Sequence, residues 1–210
     1  MGLFRRSLSF AGAALLRMRG VEVGRGLVLF GLPLVRRAPG SRLALGARVV
    51  LCSTCYGNPL GVAHPVILRT LRPDSVIRIG DDTGMSGATV CAASSVTIGA
   101  QCLIGANVTI TDYDFHAVAP ANRRYATNPD AIGCAPVVIE DNVWIGLNTV
   151  ILKGVTIGAD TVVGAGSVVT RSLPPRCVAA GQPARVIRLL EPAADASAAG
   201  RECGPQAPRT

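Results

Sequence analysis

The sequence predicts an all-β fold: a solenoid of short strands wound around one aliphatic core. Three observations predict it. Ile139, Ile145, Ile151, Ile157, Val163 and Val169 are each six residues apart, and a small or β-branched residue recurs four after the beat, as at Thr149, Val155, Thr161 and Ser167. Neither the 3.6-residue period of a helix nor the two-residue period of an ordinary strand gives this spacing. A hexad does so when each side of a triangular coil, about eighteen residues around, is one short strand. The second observation is composition: 49% of the 210 residues are hydrophobic, only 4% are aromatic, and 24 are glycine, which suits an aliphatic β-core with many tight corners. The third is the interruption of the beat between Ile110 and Ile139. An insertion that long within a regular repeat is usually a functional loop.

The elements follow in chain order. Residues 1–20 are predicted as an amphipathic helix, with Leu3, Phe4, Leu8, Ala11, Leu15 and Met18 in a stripe and Arg5, Arg6, Arg17 and Arg19 around it. Its apolar run is too short to span a bilayer, no small-residue cleavage site follows, and Arg6 breaks the myristoylation pattern. The helix either caps the end of the solenoid or touches anionic lipid. The second reading draws on the eight arginines that residues 1–42 set against a single acid, Glu22.

The solenoid is assigned to residues 21–183. Val23, Leu29 and Val35 make a first coil, and Leu45 and Leu51 begin a second, with "RRAPGSR" out of phase between them. "CSTCYGNPLGVAHPVILRT" is an excursion. Ile79, Met85 and Cys91 keep time, and Ile98 arrives one residue late, as at a bulge. Ile98, Ile104 and Ile110 form the next coil. Residues 111–136 protrude as a polar loop, so the fall of His116 six after Ile110 is a coincidence of spacing. Gly146, Gly158 and Gly164, directly after the beat, are expected to supply unusual φ at the corners. Residues 184–210 are predicted as a short helix and a disordered tail, the part after Glu191 being rich in Ala, Pro and Gly without a beat.

Net charge is +8, from 21 Lys and Arg against 13 Asp and Glu, which implies an anionic partner. Nucleic acid fits poorly, because aromatics are sparse and no reader motif is present. The seven cysteines are scattered, and the one C-x-x-C, Cys52 and Cys55, lacks a second pair at zinc-ribbon spacing. The expectation is therefore a reduced, cytoplasmic protein without a metal, in peripheral contact with the inner face of the membrane under the lipid reading of the helix.

W-I-G at 144–146, G-A-G-S-V-V-T at 164–170 and G-x-P-A-R at 181–185 resemble the carboxy-terminal half of hexapeptide-repeat acyltransferases. The similarity covers residues 40–190. "NPLGVAHPVIL" and "DYDFH" followed by Arg123 and Arg124 resemble the O-acetyltransferases of capsule and exopolysaccharide clusters, beside the maltose, galactoside and nodulation type. The resemblance implies a left-handed parallel β-helix, a homotrimer, and acetyl-CoA held in a groove between neighbouring prisms. It implies transfer of acetyl to a carbohydrate hydroxyl in surface polysaccharide or glycolipid synthesis, with a loop histidine, matching His116, as the base.

An alcohol needs a general base as it attacks a thioester, and imidazole is the side chain suited to this near neutral pH. The chain has two histidines. His116 is the base or a structural loop residue. His64 is a hydrogen-bonded structural residue or binds acceptor beside the His116 of another subunit. Asp112 and Asp114 fix the His116 tautomer or serve turn chemistry. Arg123 and Arg124 bind an anionic acceptor or are merely solvated. Backbone N–H groups near the W-I-G corner are candidates for an oxyanion site, Gly146 allowing close approach. Trp144 matches a position near the CoA groove, or packs at the trimer contact. Arg185 and Arg188 match residues that meet the CoA nucleotide, with Lys153 and Arg171 as weaker candidates. Ala165 and Thr170 match groove positions, and each of these residues is otherwise an ordinary coil residue.

Four other functions are weighed against this one. Amino-sugar N-acetylation would use the same base and donor, and serine acetylation fits the loop and tail less well. A carbonic anhydrase on this scaffold needs three zinc histidines, one more than the chain has. A non-catalytic β-helix scaffold would need neither a histidine on a long loop nor arginines after the last coil.

Overall fold

The structure, a computed structural model, describes residues 3–121, 123–125 and 128–191. Helix α1, Leu3–Met18, opens the chain. Twenty short strands follow among the described residues, in groups that each make about one turn. The first two turns hold β1 Glu22–Val23, β2 Val28–Phe30, β3 Leu34–Arg36, β4 Arg42–Leu45, β5 Val50–Cys52 and β6 Ile67–Thr70. The next two hold β7 Val76–Ile79, β8 Gly84–Ser86, β9 Thr89–Ala92, β10 Ser95–Ile98, β11 Leu103–Ile104 and β12 Thr109–Thr111. After the long loop come β13 Val137–Ile139, β14 Trp144–Ile145, β15 Val150–Ile151, β16 Thr156–Ile157, β17 Val162–Val163 and β18 Val168–Val169, then β19 Cys177–Gly181 and β20 Ala184–Leu189.

Every third strand joins the same sheet. Sheet A has the order β1-β4-β7-β10-β13-β16, sheet B β2-β5-β8-β11-β14-β17-β19-β20, and sheet C β3-β6-β9-β12-β15-β18. All pairs but the last are parallel. The hexad residues stack in three interior rows. One runs Val23, Leu45, Ile79, Ile98, Ile139 and Ile157. Another runs Leu29, Leu51, Met85, Ile104, Ile145 and Val163. The third runs Val35, Leu68, Val90, Ile110, Ile151 and Val169. Ile139, Ile145 and Ile151 are wholly buried, each worth about 1.5–3 kcal/mol of burial.

Three expectations need correction. Val90, not Cys91, is the interior residue of β9, facing Leu68 and Ile110. The corner after Met85 is therefore one residue short and the next longer, which is why Ile98 is late. The glycines after the beat do not carry unusual φ. A Cβ on Gly146 would lie 2.4 Å from Ala165 N, so close approach of the next coil excludes a side chain. Positive φ falls two residues further on, at Asn148 and Asp160 as at Asn142, Asn107 and Asp82, where Asn and Asp tolerate it best. Finally, Ala184–Leu189 is a strand, not a helix. It pairs antiparallel with β19 across a turn at Gln182 and Pro183, and the β-branched Val186 and Ile187 suit a strand. This hairpin occupies an edge of β19 that would otherwise lie open.

Helix α1 packs against β1 and β2. Ala13 and Leu16 are buried, and the Ser9 hydroxyl accepts the Leu29 N–H at 3.0 Å. The helix therefore packs over the open end of the prism through Ser9, Ala13 and Leu16 rather than through the predicted stripe, of which Ala11 and Met18 are exposed and Leu15 half-buried. The expected tail after Glu191 lies outside the described residues. No helix among the described residues is long and apolar enough to cross a membrane.

Candidate active site

The long loop leaves sheet C after Thr111 and returns at Val137, on the edge where the chain passes from sheet C to sheet A. Its root is a neck of paired backbone. Tyr113 and Cys134 form an antiparallel bridge. Asp114 N donates to Gly133 O at 3.0 Å, Ala135 N to Asp112 O at 3.0 Å, and Gly154 N to Ala135 O at 3.0 Å.

Three side chains fasten the neck to the prism. Asp112 is fully buried, and its two carboxylate oxygens accept the backbone N–H groups of Ala93 and Ser94, each at 2.7 Å. Both oxygens are thus engaged away from His116. Asp114 Oδ1 is ion-paired to Lys153 Nζ at 2.7 Å, while its Oδ2 is buried without a hydrogen-bond partner. Gly133 makes room for this carboxylate, since a Cβ there would lie 2.3 Å from Oδ2. Lys153 is accordingly engaged at the neck. The third is Tyr113: the Arg72 guanidinium lies 4.8 Å from its ring centroid, and Arg72 Nη2 donates to the phenolic oxygen at 3.2 Å. That hydrogen bond holds the Arg72 pKa above its ordinary value.

The stack continues outward. Phe115 meets the Tyr113 ring edge-on at 5.5 Å and 68°. Its φ of 64° is left-handed, which a bulky non-glycine residue adopts only when its surroundings impose it. His116 follows directly, exposed and without a hydrogen bond to any described residue, and Ala117 behind it is buried. A histidine held out by a fastened, strained segment can accept a proton from a bound hydroxyl. Arg123 and Arg124 are exposed on a 3-10 turn further along the loop. Arg123 donates to Val118 O at 2.6 Å, and Arg124 lies 5.9 Å from the Tyr125 ring centroid.

The other sequence-predicted residues lie on two edges of the prism. Trp144 is exposed on the outer face of sheet B beside Leu103, at a hollow of about 260 Å³ that Phe30, Gly84 and Gly105 also line. Gly146 and Ala165 touch at the edge between sheets B and C. The Trp144 and Gly146 N–H groups donate to Thr161 O and Val163 O, so the ladder consumes them and neither is free for an oxyanion. Thr170 and Arg171 lie on the C–A edge with His116, one coil beyond Lys153, and both are exposed. Arg185 and Arg188 are exposed on β20. Arg185 Nη1 donates to Ala184 O at 2.8 Å.

His64 belongs to the excursion between β5 and β6, at the B–C edge. That excursion is tied down where the Asn107 amide oxygen accepts Ala63 N–H at 2.8 Å. His64 Nδ1 lies 2.8 Å from Pro65 O, and a carbonyl can only accept, so Nδ1 is the donor and the lone pair of the neutral ring is on Nε2. His64 and His116 thus stand on different edges of one prism. Burial pushes the thiols of Cys91, Cys102 and Cys134 above their ordinary range, which suits inert groups rather than nucleophiles. Among the described residues no group of three or more His, Cys, Asp or Glu could hold a metal. Arg72 and Tyr113, central to the neck, are absent from the sequence reading: their pairing depends on the coil register, which no local motif reports.

Residues 76–112 and 136–171 match the family model for the hexapeptide repeat of succinyl-transferase, on either side of the loop. The chain is 46% identical over 98 residues to the galactoside O-acetyltransferase of Escherichia coli K12, covering 46% of this chain and 45% of that one. It is 39% identical over 103 residues to WbbJ of the same strain, named for an O-acetyl transferase of lipopolysaccharide biosynthesis, covering 47% and 53%. It thus spans about half the length of the curated relatives it matches. Among solved structures, the hexapeptide-repeat acetyltransferase VCA0836 of Vibrio cholerae superposes with a TM-score of 0.51 at 38% identity, over 59% of this chain and 71% of that one. The same protein complexed with acetyl coenzyme A gives 0.50 at 42% identity, over 55% and 61%. The fold is the left-handed parallel β-helix. A three-row hexad core interrupted by one fastened loop, read with these matches, places the chain in its family: it belongs to the hexapeptide-repeat acyltransferases.

Proposed function

We propose that this protein is an acetyl-CoA-dependent O-acetyltransferase of a carbohydrate hydroxyl, with His116 as general base. The observation that carries the reading is the presentation of His116, exposed at the top of a neck that Asp112, Asp114 with Lys153, and Tyr113 with Arg72 fasten to the prism. As the acceptor oxygen attacks the acetyl carbonyl, His116 takes its proton. The new ester C–O bond forms, the thioester C–S bond breaks, and the imidazolium returns the proton to the coenzyme A sulfur. Arg185 and Arg188 receive the donor's phosphates, and Trp144, Gly146, Ala165, Thr170 and Arg171 line its groove. His64, Arg123 and Arg124 belong to the acceptor side.

These residues occupy the B face, the B–C edge and the C–A edge of one prism, so a single site draws on more than one copy. A closed ring of three prisms satisfies this, and we assign the working unit as a homotrimer. The similarity to WbbJ supports an acceptor in surface polysaccharide or glycolipid synthesis.

Release of coenzyme A thiol, measured across free, nucleotide-linked and lipid-linked sugars, tests the reading, with NMR of the product distinguishing an ester from an amide. His116→Ala is expected to lower turnover by about 10²–10⁴ with acetyl-CoA affinity nearly unchanged. Near-normal turnover in that variant removes His116 as the base.

A further inference from the structure

The outward face of sheet C, at its α1 end, carries positive charge that no acid answers. Arg36 on β3 and Arg69 on β6 are register partners, so their Cα atoms lie about 4.8 Å apart. Both are exposed. The ion pairs of the described residues engage Arg42, Arg48 and Lys153, and neither Arg36 nor Arg69. Like charges directly opposite on a sheet face destabilise it. Arg37 adds a third charge: its guanidinium is held by the backbone oxygens of Arg19, Gly20 and Ser41, which fix it without neutralising it. Arg19 comes from the segment after α1.

Two hollows share the Arg36–Arg69 pair as a common wall. One, of about 280 Å³, lies towards Arg37 and Thr70. The other, of about 340 Å³, has Arg19 at its rim and Leu34, Ile67 and Leu68 as its floor. No Asp or Glu lines either. Leu34 is 56% exposed, and Leu32 at the preceding corner is 46% exposed. A soluble sugar phosphate would need hydrogen-bonding side chains for its hydroxyls, and the larger hollow offers none besides the arginines. Guanidinium groups around exposed aliphatics instead suit a ligand that joins a phosphate to hydrocarbon.

We propose that this face is a membrane-docking surface, seated on anionic phospholipid with Arg19, Arg36 and Arg69 on the phosphates and Leu34 among the upper acyl carbons. It differs from the sequence-level expectation, in which the apolar stripe of α1 meets the lipid. The outward register from Arg69 continues through Cys91 to Thr111, the last strand residue before the His116 loop. Docking face and loop root therefore share one sheet face, two strands or about 10 Å apart. The binding itself does not depend on the proposed acetyl transfer. If that transfer is correct, docking brings the base towards a membrane-anchored acceptor.

Flotation of the full chain with vesicles of phosphatidylcholine, alone or with phosphatidylglycerol, tests the surface without any activity assay. Binding is expected only with phosphatidylglycerol and is expected to fall with salt. Arg36→Gln with Arg69→Gln is expected to weaken it about tenfold or more, whereas removing the exposed Arg78 and Arg176 from other faces leaves it within about twofold. Equal binding to both vesicle types, or equal loss in the two double variants, overturns the proposal. So does a smaller assembly for the Arg36→Gln, Arg69→Gln variant on size exclusion, which would make the face a contact between copies. Hydrogen exchange of the unaltered chain gives a reading independent of variants. Phosphatidylglycerol vesicles are expected to slow exchange over residues 32–37 on edge strand β3, and no slowing there also overturns it.

Discussion

At the scale of single residues, each turn of the prism uses two neighbouring corner positions for different reasons. Gly146 is required because the backbone of Ala165 occupies the place of its Cβ. Asn148 is tolerated because its φ of 55° is left-handed, a region where Asn costs less than most residues. Gly146→Ala is therefore expected to destabilise the protein by about 1–3 kcal/mol, and Asn148→Gly to change stability by less than about 1 kcal/mol. Chemical denaturation of the two variants checks the contrast, and equal losses would mean that the two corners share one cause. The buried thiols give a pH dependence. Folded Cys91 and Cys102 have raised pKa values, chiefly through burial. The stability tied to their protonated form is complete below the unfolded thiol value, about 8.5, and is lost as pH rises beyond it. Melting of Cys91→Ala and Cys102→Ala is expected to fall less steeply between pH 8 and pH 10 than melting of the parent.

At the scale of the element, the proposed chemistry of the loop depends on the neck. Fixing a catalytic group in place matters because small misplacements cost large factors in rate. Tyr113 holds the loop through the Arg72 stack on one side and Phe115 on the other. Tyr113→Leu is expected to lower kcat by about 10²-fold while KM for acetyl-CoA stays within about twofold. Tyr113→Phe keeps both ring contacts and is expected to recover most of the loss. A purely structural role for Tyr113 would instead lower the folded fraction and leave kcat per folded molecule unchanged. Asp112 acts on the same element from below, closing the exposed end of sheet C against Ala93 and Ser94. Both of its oxygens accept backbone N–H groups of the preceding coil, so under the proposed function it is a positioning residue of the loop.

At the scale of the whole molecule, stability is a stack of similar layers. Each coil buries its beat residues only against its neighbours, so the ends must be covered. Helix α1 covers one end through Ala13 and Leu16, and the β19–β20 hairpin finishes sheet B at the other. Ile151 lies in the middle of its row, between Ile110 and Val169, and is fully buried. Ile151→Ala is expected to cost about 2–5 kcal/mol, measured by denaturant midpoint. On the outward side, the exposed Trp144, Leu103 and Ile187 are places where a packed neighbour would gain apolar contact.

Much of the architecture was legible because a hexad is a local pattern with few structural solutions. Two of the three rows and the length and place of the loop follow from where the beat runs and stops; the third was legible only in part, since Leu68 lies in the stretch read as an excursion and Val90 replaces Cys91. Residues whose role depends on register between coils were not legible. Asp112 beside Ala93 and Ser94, Lys153 on Asp114, Arg72 on Tyr113 and Arg36 opposite Arg69 are pairs separated in sequence by one or more turns. The short corner before Val90 and the strand at Ala184–Leu189 also escaped, because one residue of slip or one β-branched pair weighs little against a repeat. That an aliphatic β-helix would form, and that a histidine would leave it, is written in a local repeat and its interruption. The tertiary structure alone decided which distant charges meet, since the pitch of the coil, and not distance along the chain, sets what becomes adjacent.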